Sequence, residues 1–333
     1  MRKVRVLVTG GAGFIGLATI KKLLEANYEV VCFDLAEQIA RSLEKLNNLH
    51  LIGKLTLVQG SLLDRNMLRE AVTGCDAVIH LAAMLGVKKT EANKLGCIEV
   101  NINGTDNLLA ASVTAGVVKF IFASSSEVYG EPISNPVSEE DITQGKTVYA
   151  ITKLAGEELV KGYSQKYPTM NYTIARFFNT YGEGQVAQFV LSKFVREVKS
   201  GRNPIVYGSG DQVRSYGHVS DVVEGIIAIL ENPISNGKVY NLGNSIQVMT
   251  LIELAQLVID VVAPKSNLKV QVMGDFSGAD RESSREIHSR FCDTTRAKSE
   301  LGYEPKISVS DGIRRIAEQD FIHESWPILN VSK

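Results

Sequence analysis

The chain has 333 residues, 44% of them apolar and 22% charged, which is a typical globular composition and a length that suggests two structural units. Lys and Arg together number 36 and Asp and Glu 37, and the net charge of -1 argues against a surface built to bind nucleic acid. No apolar run reaches about 18 residues, which argues against a membrane-spanning helix.

The first half of the chain alternates the patterns of strands and helices. The apolar, β-branched run at 4–9 predicts a strand, and the apolar periodicity of Phe14–Ala26 predicts a helix after it. The alternation continues with strands expected at Glu29–Phe33, Leu55–Gln59, Ala77–Leu81, Val118–Ala123 and Tyr172–Arg176, and helices at Glu37–Leu46, Asp64–Val72, Ile98–Ala115 and Tyr149–Lys166. This order predicts an α/β fold, with a parallel sheet covered by helices on both faces.

Beyond Arg176 the pattern is less regular. Helices are expected at Val186–Ser200, Val219–Glu231, Thr250–Val262, Thr294–Leu301 and Val309–Phe321, and a polar loop at Asp275–Ser289. We expect residues 1–176 to form one domain and residues 177–333 a smaller, mixed α/β domain, with some elements shared across the boundary.

A glycine-rich turn separates the first strand from the first helix. Gly10, Gly13 and Gly16 stand at the spacing GxxGxxG. Glycines there let a pyrophosphate approach the backbone amides at the helix N-terminus, where side chains would block it. A purely structural turn could use the same residues, but a strand before and a helix after favour dinucleotide binding in a Rossmann-type doubly wound sheet.

The choice of dinucleotide is read at the end of the second strand. Asp34 stands there, where a carboxylate accepts hydrogen bonds from ribose hydroxyls and repels a 2′-phosphate. Arg41 is the first arginine after it. This pattern favours NAD over NADP, although Asp34 could instead cap the next helix.

Tyr149 and Lys153 have the spacing YxxxK, which places both on one face of a helix. A Lys ammonium near the phenol is expected to lower the phenol pKa, so that Tyr149 can act as a base. Ser124, Ser125 and Ser126 precede the pair, and a hydroxyl beside Tyr149 could hold a substrate hydroxyl. A solvated helix face would show the same spacing by chance.

Taken together, these motifs resemble the extended short-chain dehydrogenase/reductase family, and in particular its NAD-dependent nucleotide-sugar epimerases and dehydratases. The chain is similar to UDP-galactose 4-epimerases and UDP-glucuronate decarboxylases. The resemblance covers nearly the whole chain and rests on the segments Thr9–Gly16, His80–Ala83, Val100–Thr105, Ser124–Gly130, Arg176–Gly182, Val206–Arg214, His218–Asp221 and Leu301–Pro305.

The resemblance implies a role for individual residues. Ser125, Tyr149 and Lys153 match the family's catalytic residues, and Glu127 is a fourth candidate. It implies cofactor contacts from Gly10, Gly13, Phe14, Ile15, Gly16, Asp34, Ser61, Leu62, Leu81, Ala82, Ala83, Lys88, Asn101, Tyr149 and Lys153, and substrate contacts from Ser125, Ser126, Asn179, Arg214 and Arg290. Many members carry Gly-Asp where this chain has Gly60-Ser61, so the adenine contact is expected to be weaker or to come from the backbone.

Three reactions remain open. In the family, NAD commonly oxidises the sugar at C4, after which epimerisation, loss of water or loss of a C6 carboxylate can follow. The dTDP-glucose 4,6-dehydratases carry Asp-Glu after the catalytic Ser/Thr, whereas this chain has Ser126-Glu127, as UDP-glucuronate decarboxylases do. We expect an epimerase as the broadest class, with a lyase acting through Glu127 as the alternative and a catalytically silent NAD-binding regulator as a remote one. Glu127 could also be purely structural.

Other expectations concern partners and location. A UDP-sugar is the expected substrate, and the segment Met84–Gly96 is expected to be a loop in which Lys88 could face the cofactor or an acidic sugar. A homodimer is expected through Ile98–Ala115 and Tyr149–Lys166, whose surplus apolar residues are Leu108, Leu109, Val113, Leu154, Leu159 and Tyr163. Four scattered cysteines without a CxxC pair favour reduced thiols in a cytoplasmic protein over disulfides or a metal site.

Overall fold

A seven-stranded parallel sheet forms the centre of the chain, in a computed structural model that describes residues 3–274 and 286–319. In the order in which they pair, its strands are β11 (Lys238–Leu242), β6 (Asn171–Phe177), β5 (Lys119–Ser125), β4 (Ala77–His80), β1 (Arg5–Thr9), β2 (Glu29–Asp34) and β3 (Leu55–Gln59). Every pairing is parallel. The chain winds outward from β1 in both directions, which is the Rossmann-type topology expected from the sequence. That expectation is confirmed.

Helices cover both faces of the sheet because its strands are apolar on both sides. On one face lie α1 (Phe14–Glu25), α2 (Ala36–Arg41), α3 (Leu43–His50), α10 (Val219–Glu231) and α12 (Thr295–Leu301), around a core that includes Ile20, Leu46 and Ile226. On the other lie α4 (Arg65–Val72), α7 (Gly104–Thr114) and α8 (Val148–Lys166), around Leu68, Leu108 and Val160.

The C-terminal part of the chain has a second core of its own. Its strands are β7 (Thr180–Tyr181), β8 (Ile205–Tyr207), β9 (Val213–Ser215), β10 (Gly217–His218), β12 (Val248–Thr250), β13 (Gln271–Met273) and β14 (Ser289–Arg290), and its helices are α9 (Val190–Lys199), α11 (Leu251–Val262) and α13 (Val309–Ala317). The apolar side chains of this lobe gather around Phe194, Leu254 and Ile313. By contrast, α10 and β11 return to the large sheet, where α10 packs on α1 and β11 pairs with β6.

Two expected helices are interrupted in the structure. The helix expected at Glu37–Leu46 is split into α2 and α3 at Ser42, whose hydroxyl donates to the Ala12 carbonyl oxygen at 2.8 Å. The helix expected at Ile98–Ala115 begins earlier as α6 (Lys94–Ile98), passes through a π-helical turn (Glu99–Asn103) and continues as α7.

Two further expectations need revision, and two more lie largely beyond the described residues. The segment expected as the loop Met84–Gly96 contains α5 (Val87–Ala92) and the start of α6. The helix expected to begin at Val186 begins at Val190. Most of the loop expected at Asp275–Ser289, and the end of the helix expected to reach Phe321, lie outside the described residues.

A buried ion pair ties the long helix α8 to the sheet. Arg176 on β6 donates from Nε and Nη2 to the two carboxylate oxygens of Glu157 on α8, at 2.9 and 2.7 Å. Ser124 at the end of β5 donates to the same carboxylate at 2.5 Å. Arg176 also donates to the Tyr129 hydroxyl at 2.9 Å, and Tyr129 in turn donates to Asn241 on β11 at 2.7 Å. This network therefore connects α8 with three adjacent strands.

Because a buried charge without its partner is costly, Glu157→Ala should lower the free energy of unfolding by about 3–5 kcal/mol. Replacing both partners with apolar residues, as Glu157→Leu with Arg176→Met, should cost much less than the single change. The control is Glu158→Ala, whose exposed pair with Lys161 should contribute no more than about 1 kcal/mol. Chemical denaturation measures all three, and equal losses at 157 and 158 would contradict the assignment.

Candidate active site

The glycine turn is built for close approach of backbone to backbone. Gly10 has a φ of 67°, and a Cβ there would lie 2.8 Å from the backbone nitrogen of Ala82, beyond the end of β4. A Cβ on Gly16 would lie 2.1 Å from the Gly10 carbonyl oxygen. Helix α1 starts at Phe14 with no side-chain cap and no acidic residue in its first turn. The amides at this helix N-terminus are thus well suited to an anion such as a pyrophosphate.

Asp34 also shapes the glycine turn. Its carboxylate accepts from the Ala12 amide at 3.0 Å and from the Leu35 amide at 2.8 Å. Burial raises the pKa of Asp34 to about 6, despite these two hydrogen bonds. The sequence pattern allowed Asp34 two possible roles, a contact for ribose hydroxyls and a cap for the next helix, and its contact with Ala12 could not be read from spacing.

The segment after β3 is placed mainly by packing. Ser61 accepts from the Leu63 amide at 3.2 Å, and Leu62 is buried with its carbonyl accepting from Asn107 at 3.2 Å. A Cβ on Gly60 would lie 2.8 Å from the Phe33 ring, so glycine is needed for the chain to pass β2.

A chain of hydrogen bonds runs under the ends of β1 and β4. The Ala82 amide donates to Thr9 at 3.3 Å, Thr9 lies 2.7 Å from His80 Nδ1, and His80 Nε2 lies 3.0 Å from Thr105. Because the Thr105 hydroxyl donates to the Asn101 carbonyl oxygen at 2.6 Å, it accepts from His80, which assigns the hydrogen of the ring to Nε2. Burial lowers the pKa of His80 to about 3, so the ring is neutral.

Asn101 lies in the π-helical turn and points inward. Its amide group donates to the Met84 carbonyl oxygen and to the Thr152 hydroxyl, both at 3.0 Å, and its oxygen accepts from the Met84 amide at 2.7 Å. Asn101 therefore fixes the segment after β4 relative to α8. Leu81 and Ala83 lie half-buried on that segment, whereas Lys88 is exposed on α5.

The proposed catalytic residues converge where β5 ends and α8 begins. The Ser125 hydroxyl accepts from the Glu127 amide at 3.2 Å and lies close enough to Tyr149 to act on its pKa, and Tyr149 precedes Lys153 by one turn of α8. Lys153 is buried, donates to the Ala123 carbonyl oxygen at 2.7 Å and lies 5.8 Å from the centre of the Tyr149 ring. The structure thus brings together the three residues that the sequence pattern selected.

The expected lowering of the Tyr149 pKa is wrong for this structure. Burial raises the pKa of Tyr149 well above its usual range, and the charge of Glu127 raises it further, while the hydrogen bond from Ser125 opposes both. Burial also lowers the pKa of Lys153 to about 8, which keeps most of its positive charge at neutral pH. The sequence pattern reveals the spacing of Tyr149 and Lys153 but not the cost of burying them.

Glu127 meets Arg290 from the other lobe. Arg290 Nη2 donates to Glu127 at 3.0 Å, with Arg290 only 3% exposed. Arg290 Nε and Nη1 are buried and have no hydrogen-bond partner among the described residues. The charge of Glu127 also raises the pKa of Tyr149, so this ion pair lies within electrostatic reach of the proposed base.

The other expected substrate residues are placed differently. Arg214 on β9 pairs in register with Arg290 on β14, but its guanidinium donates to Glu286 at 3.0 Å and to the Ile287 carbonyl oxygen at 2.5 Å. Asn179 is half-buried just after β6, and Ser126 is buried beside Ser125. Arg214 is therefore held by the segment that precedes Arg290.

Comparison with known proteins identifies the family. The family model described as GDP-mannose 4,6 dehydratase matches residues 7–316. The chain belongs to this family. A UDP-N-acetyl-alpha-D-glucosaminuronate decarboxylase of Bacillus cytotoxicus is 35% identical to the present chain over 323 residues. The match covers 94% of this chain and 96% of the relative.

Solved structures of family relatives share the fold. The UDP-glucuronic acid 4-epimerase of Bacillus cereus, in complex with UDP-glucuronic acid and NAD, has a TM-score of 0.83 at 26% identity, over 95% of this chain and 98% of the other. DesIV of Streptomyces venezuelae, a dTDP-glucose 4,6-dehydratase with NAD and TYD bound, has a TM-score of 0.83 at 28% identity, over 94% and 96%. The expected family and the expected NAD-dependent enzyme acting on nucleotide sugars are confirmed.

The described part of the chain contains neither a candidate membrane-spanning helix nor a candidate metal site. Residues 3–274 and 286–319 contain no helix that is long and apolar enough to cross a membrane. Nor does this part hold a group of three or more His, Cys, Asp or Glu side chains that could bind a metal ion.

Neutral, buried His80 should make folding stability depend on pH. An unfolded histidine binds a proton below a pKa of about 6.5, but His80 in the folded chain does not until about pH 3. Its contribution is therefore fully present above about pH 6.5 and is lost by about 1.4 kcal/mol per unit as the pH falls toward 3. His80→Asn should remove this slope between pH 6.5 and 4.5 in denaturation experiments, whereas exposed His50→Asn should keep it. An unchanged slope in His80→Asn would contradict the assignment.

Proposed function

We propose that the protein is a nucleotide-sugar decarboxylase that acts on a UDP-linked uronic acid with NAD as its cofactor. The observation that carries this proposal is the Glu127–Arg290 ion pair beside Tyr149. The sequence alone favoured an epimerase, and the placement of this ion pair is the reason for preferring the lyase. Similarity to the Bacillus cytotoxicus decarboxylase supports the same choice.

Arg290 has the features of a carboxylate-binding residue. Its guanidinium is buried, and within the described part of the chain only its Nη2 has a hydrogen-bond partner, Glu127 at 3.0 Å. Leaving two buried nitrogens without acceptors for their N–H groups costs free energy, which an anionic ligand would recover. A carboxylate suits the planar fork of donors, so the sugar carboxylate is the expected occupant.

Glu127 makes the loss of that carboxylate favourable. A substrate carboxylate bound to Arg290 would lie close to the negative charge of Glu127, and release of neutral carbon dioxide removes the repulsion. When bound, NAD supplies the oxidant that converts the C4 hydroxyl to a ketone and later reduces it. With that ketone in place the C5–C6 bond breaks, its electron pair passes into the C4 carbonyl as an enolate, carbon dioxide leaves and C5 takes up a proton.

The remaining site residues would act on the hydroxyl and the diphosphate. Tyr149 would remove the C4 hydroxyl proton once the positive charges of Lys153 and of bound NAD offset its raised pKa, and Ser125 would hold that hydroxyl. Asn179, Ser126 and Arg214 are proposed substrate contacts, and Arg214 would first have to exchange part of its contact with Glu286 and Ile287.

A 4-epimerase would use the same three catalytic residues, and the Bacillus cereus epimerase is structurally similar. Such an enzyme would return a product of unchanged mass. The geometry of Ser125, Tyr149 and Lys153 argues against a catalytically silent regulator, because that role needs none of their contacts.

Glu127→Gln separates these reactions. Incubated with UDP-glucuronate and with UDP-N-acetylglucosaminuronate, the wild type should release carbon dioxide, and Glu127→Gln should reduce that release by about 10²–10⁴-fold while reduced cofactor accumulates. Tyr149→Phe is the control, because it should suppress both signals by blocking the first proton removal while NAD stays bound. Mass spectrometry and absorbance provide the readouts. A wild-type product of unchanged mass, with Glu127→Gln still turning over, would establish the epimerase instead.

A homodimer remains part of the proposal, but two of the residues expected at its interface do not reach the surface. Leu108 and Leu109 are fully buried in the core, so they cannot form an interface. On α6 and α8, however, Leu95, Ile98 and Ile151 are 80%, 39% and 55% exposed. These are the side chains we propose to lie between two copies.

The exposed apolar side chains on α6 and α8 should hold the dimer together. Ile151→Asp should convert a dimer to a monomer in light scattering at micromolar concentration, because it buries a charge in an apolar interface. The control Ile142→Asp changes an isoleucine that is at least as exposed and lies on neither helix, and it should leave the dimer intact. A wild type that is monomeric would contradict the proposal.

A cytoplasmic location also remains a proposal. All four cysteines, Cys32, Cys75, Cys97 and Cys292, are buried and free of disulfide bonds. Free thiols of this kind are the usual state in a reducing compartment.

A further inference from the structure

Helix α3 lies directly against the glycine turn. The Ser42 hydroxyl, at the N-terminus of α3, donates to the Ala12 carbonyl oxygen within that turn at 2.8 Å. Lys45 follows Ser42 by three residues, a spacing that places both on one side of the helix. The side of α3 that contacts the glycine turn therefore carries a lysine.

The Lys45 side chain extends to the edge of the cofactor cleft. The Cβ position of Gly184, which follows β7 in the second lobe, lies 3.6 Å from Lys45 Nζ and 4.0 Å from the Phe14 ring. Phe14 is the first residue of α1, beside the uncapped amides. Lys45 and the N-terminus of α1 thus both lie close to Gly184 of the opposite lobe.

The charges of Lys45 and of the N-terminus of α1 favour the binding of an anion between them. The N-terminus of α1 carries partial positive charge, and no carboxylate among the described residues forms an ion pair with Lys45. Glu183, next to Gly184, lies instead 2.9 Å from His218 Nε2. Asp34 is already engaged with two backbone amides. Lys45 is exposed, so water solvates its ammonium in the free chain, and an anion bound at the N-terminus of α1 would lie close enough to be attracted by both positive groups.

We propose that Lys45 is a cofactor-binding residue whose ammonium contacts the pyrophosphate of NAD held at the glycine turn. The lysine adds a full charge to the partial charge of the α1 amides, and a pyrophosphate carries the two negative charges that both require. Lys45 lies outside the GxxGxxG pattern. The lengths of α2 and α3 and the break between them determine its position, so the spacing of the glycines does not reveal this contact. This inference depends on NAD binding alone and holds for either candidate reaction.

The test compares ADP with adenosine as ligands of the full-length chain freed of bound nucleotide. Lys45→Met keeps the length of the side chain and removes its charge, so calorimetry should show ADP binding weakened by about tenfold and adenosine binding unchanged within about twofold. ADP affinity should also depend less on salt in this variant. Lys45→Arg should retain ADP affinity, and Lys21→Met, at an exposed position farther along α1, should match the wild type.

Other outcomes overturn the proposal. Unchanged ADP affinity in Lys45→Met would show that the ammonium contacts no phosphate. An equal loss of ADP and adenosine affinity would show that Lys45 only supports the position of α3. UDP serves as a second ligand control: a loss of UDP affinity as large as that of ADP would place Lys45 at the substrate diphosphate rather than at the cofactor.

Discussion

The ion pair between Glu157 and Arg176 is the contact on which the rest of the site depends. Both side chains are buried, so each charge has lost its hydration and must be stabilised within the protein. Two hydrogen bonds from Arg176 and one from Ser124 satisfy the Glu157 carboxylate, and the remaining Arg176 donors reach Tyr129 and the Glu139 carbonyl oxygen. A charge pair satisfied in this way allows one orientation of α8 on the sheet, whereas apolar packing alone would tolerate small shifts.

The position of Glu157 determines the position of the catalytic side chains. Tyr149, Lys153 and Glu157 follow one another at intervals of four and share one face of α8. Ser124 and Ser125 are neighbours at the end of β5, so one serine contacts Glu157 while the other contacts Tyr149. Two contacts therefore hold Tyr149 in place relative to Ser125. One is the Glu157–Arg176 ion pair, and the other is the hydrogen bond from Asn101 to Thr152 on the same helix.

The sequence predicted those features that depend on local pattern. The glycine turn and the YxxxK pair follow from spacing within one segment, and the parallel sheet follows from the alternation of strands and helices along the chain; all three are where they were expected. Features that depend on particular side-chain contacts between distant segments could not be predicted. The Glu127–Arg290 pair joins residues 163 positions apart, and the break at Ser42 depends on a carbonyl 30 positions away. Leu108 and Leu109 were expected at an interface because periodicity does not distinguish a core-facing stripe from an exposed one.

Hydrogen exchange tests the central claim, that the Glu157–Arg176 pair holds the catalytic helix in place, most directly. In Glu157→Gln, amides of α8 around Tyr149 and Lys153 should exchange faster than in the wild type, while amides of β2, on the far side of the sheet, should change much less. Glu158→Gln, one position along the same helix, should leave both regions unchanged. Equal acceleration in α8 and β2, or no change in α8, would contradict the claim.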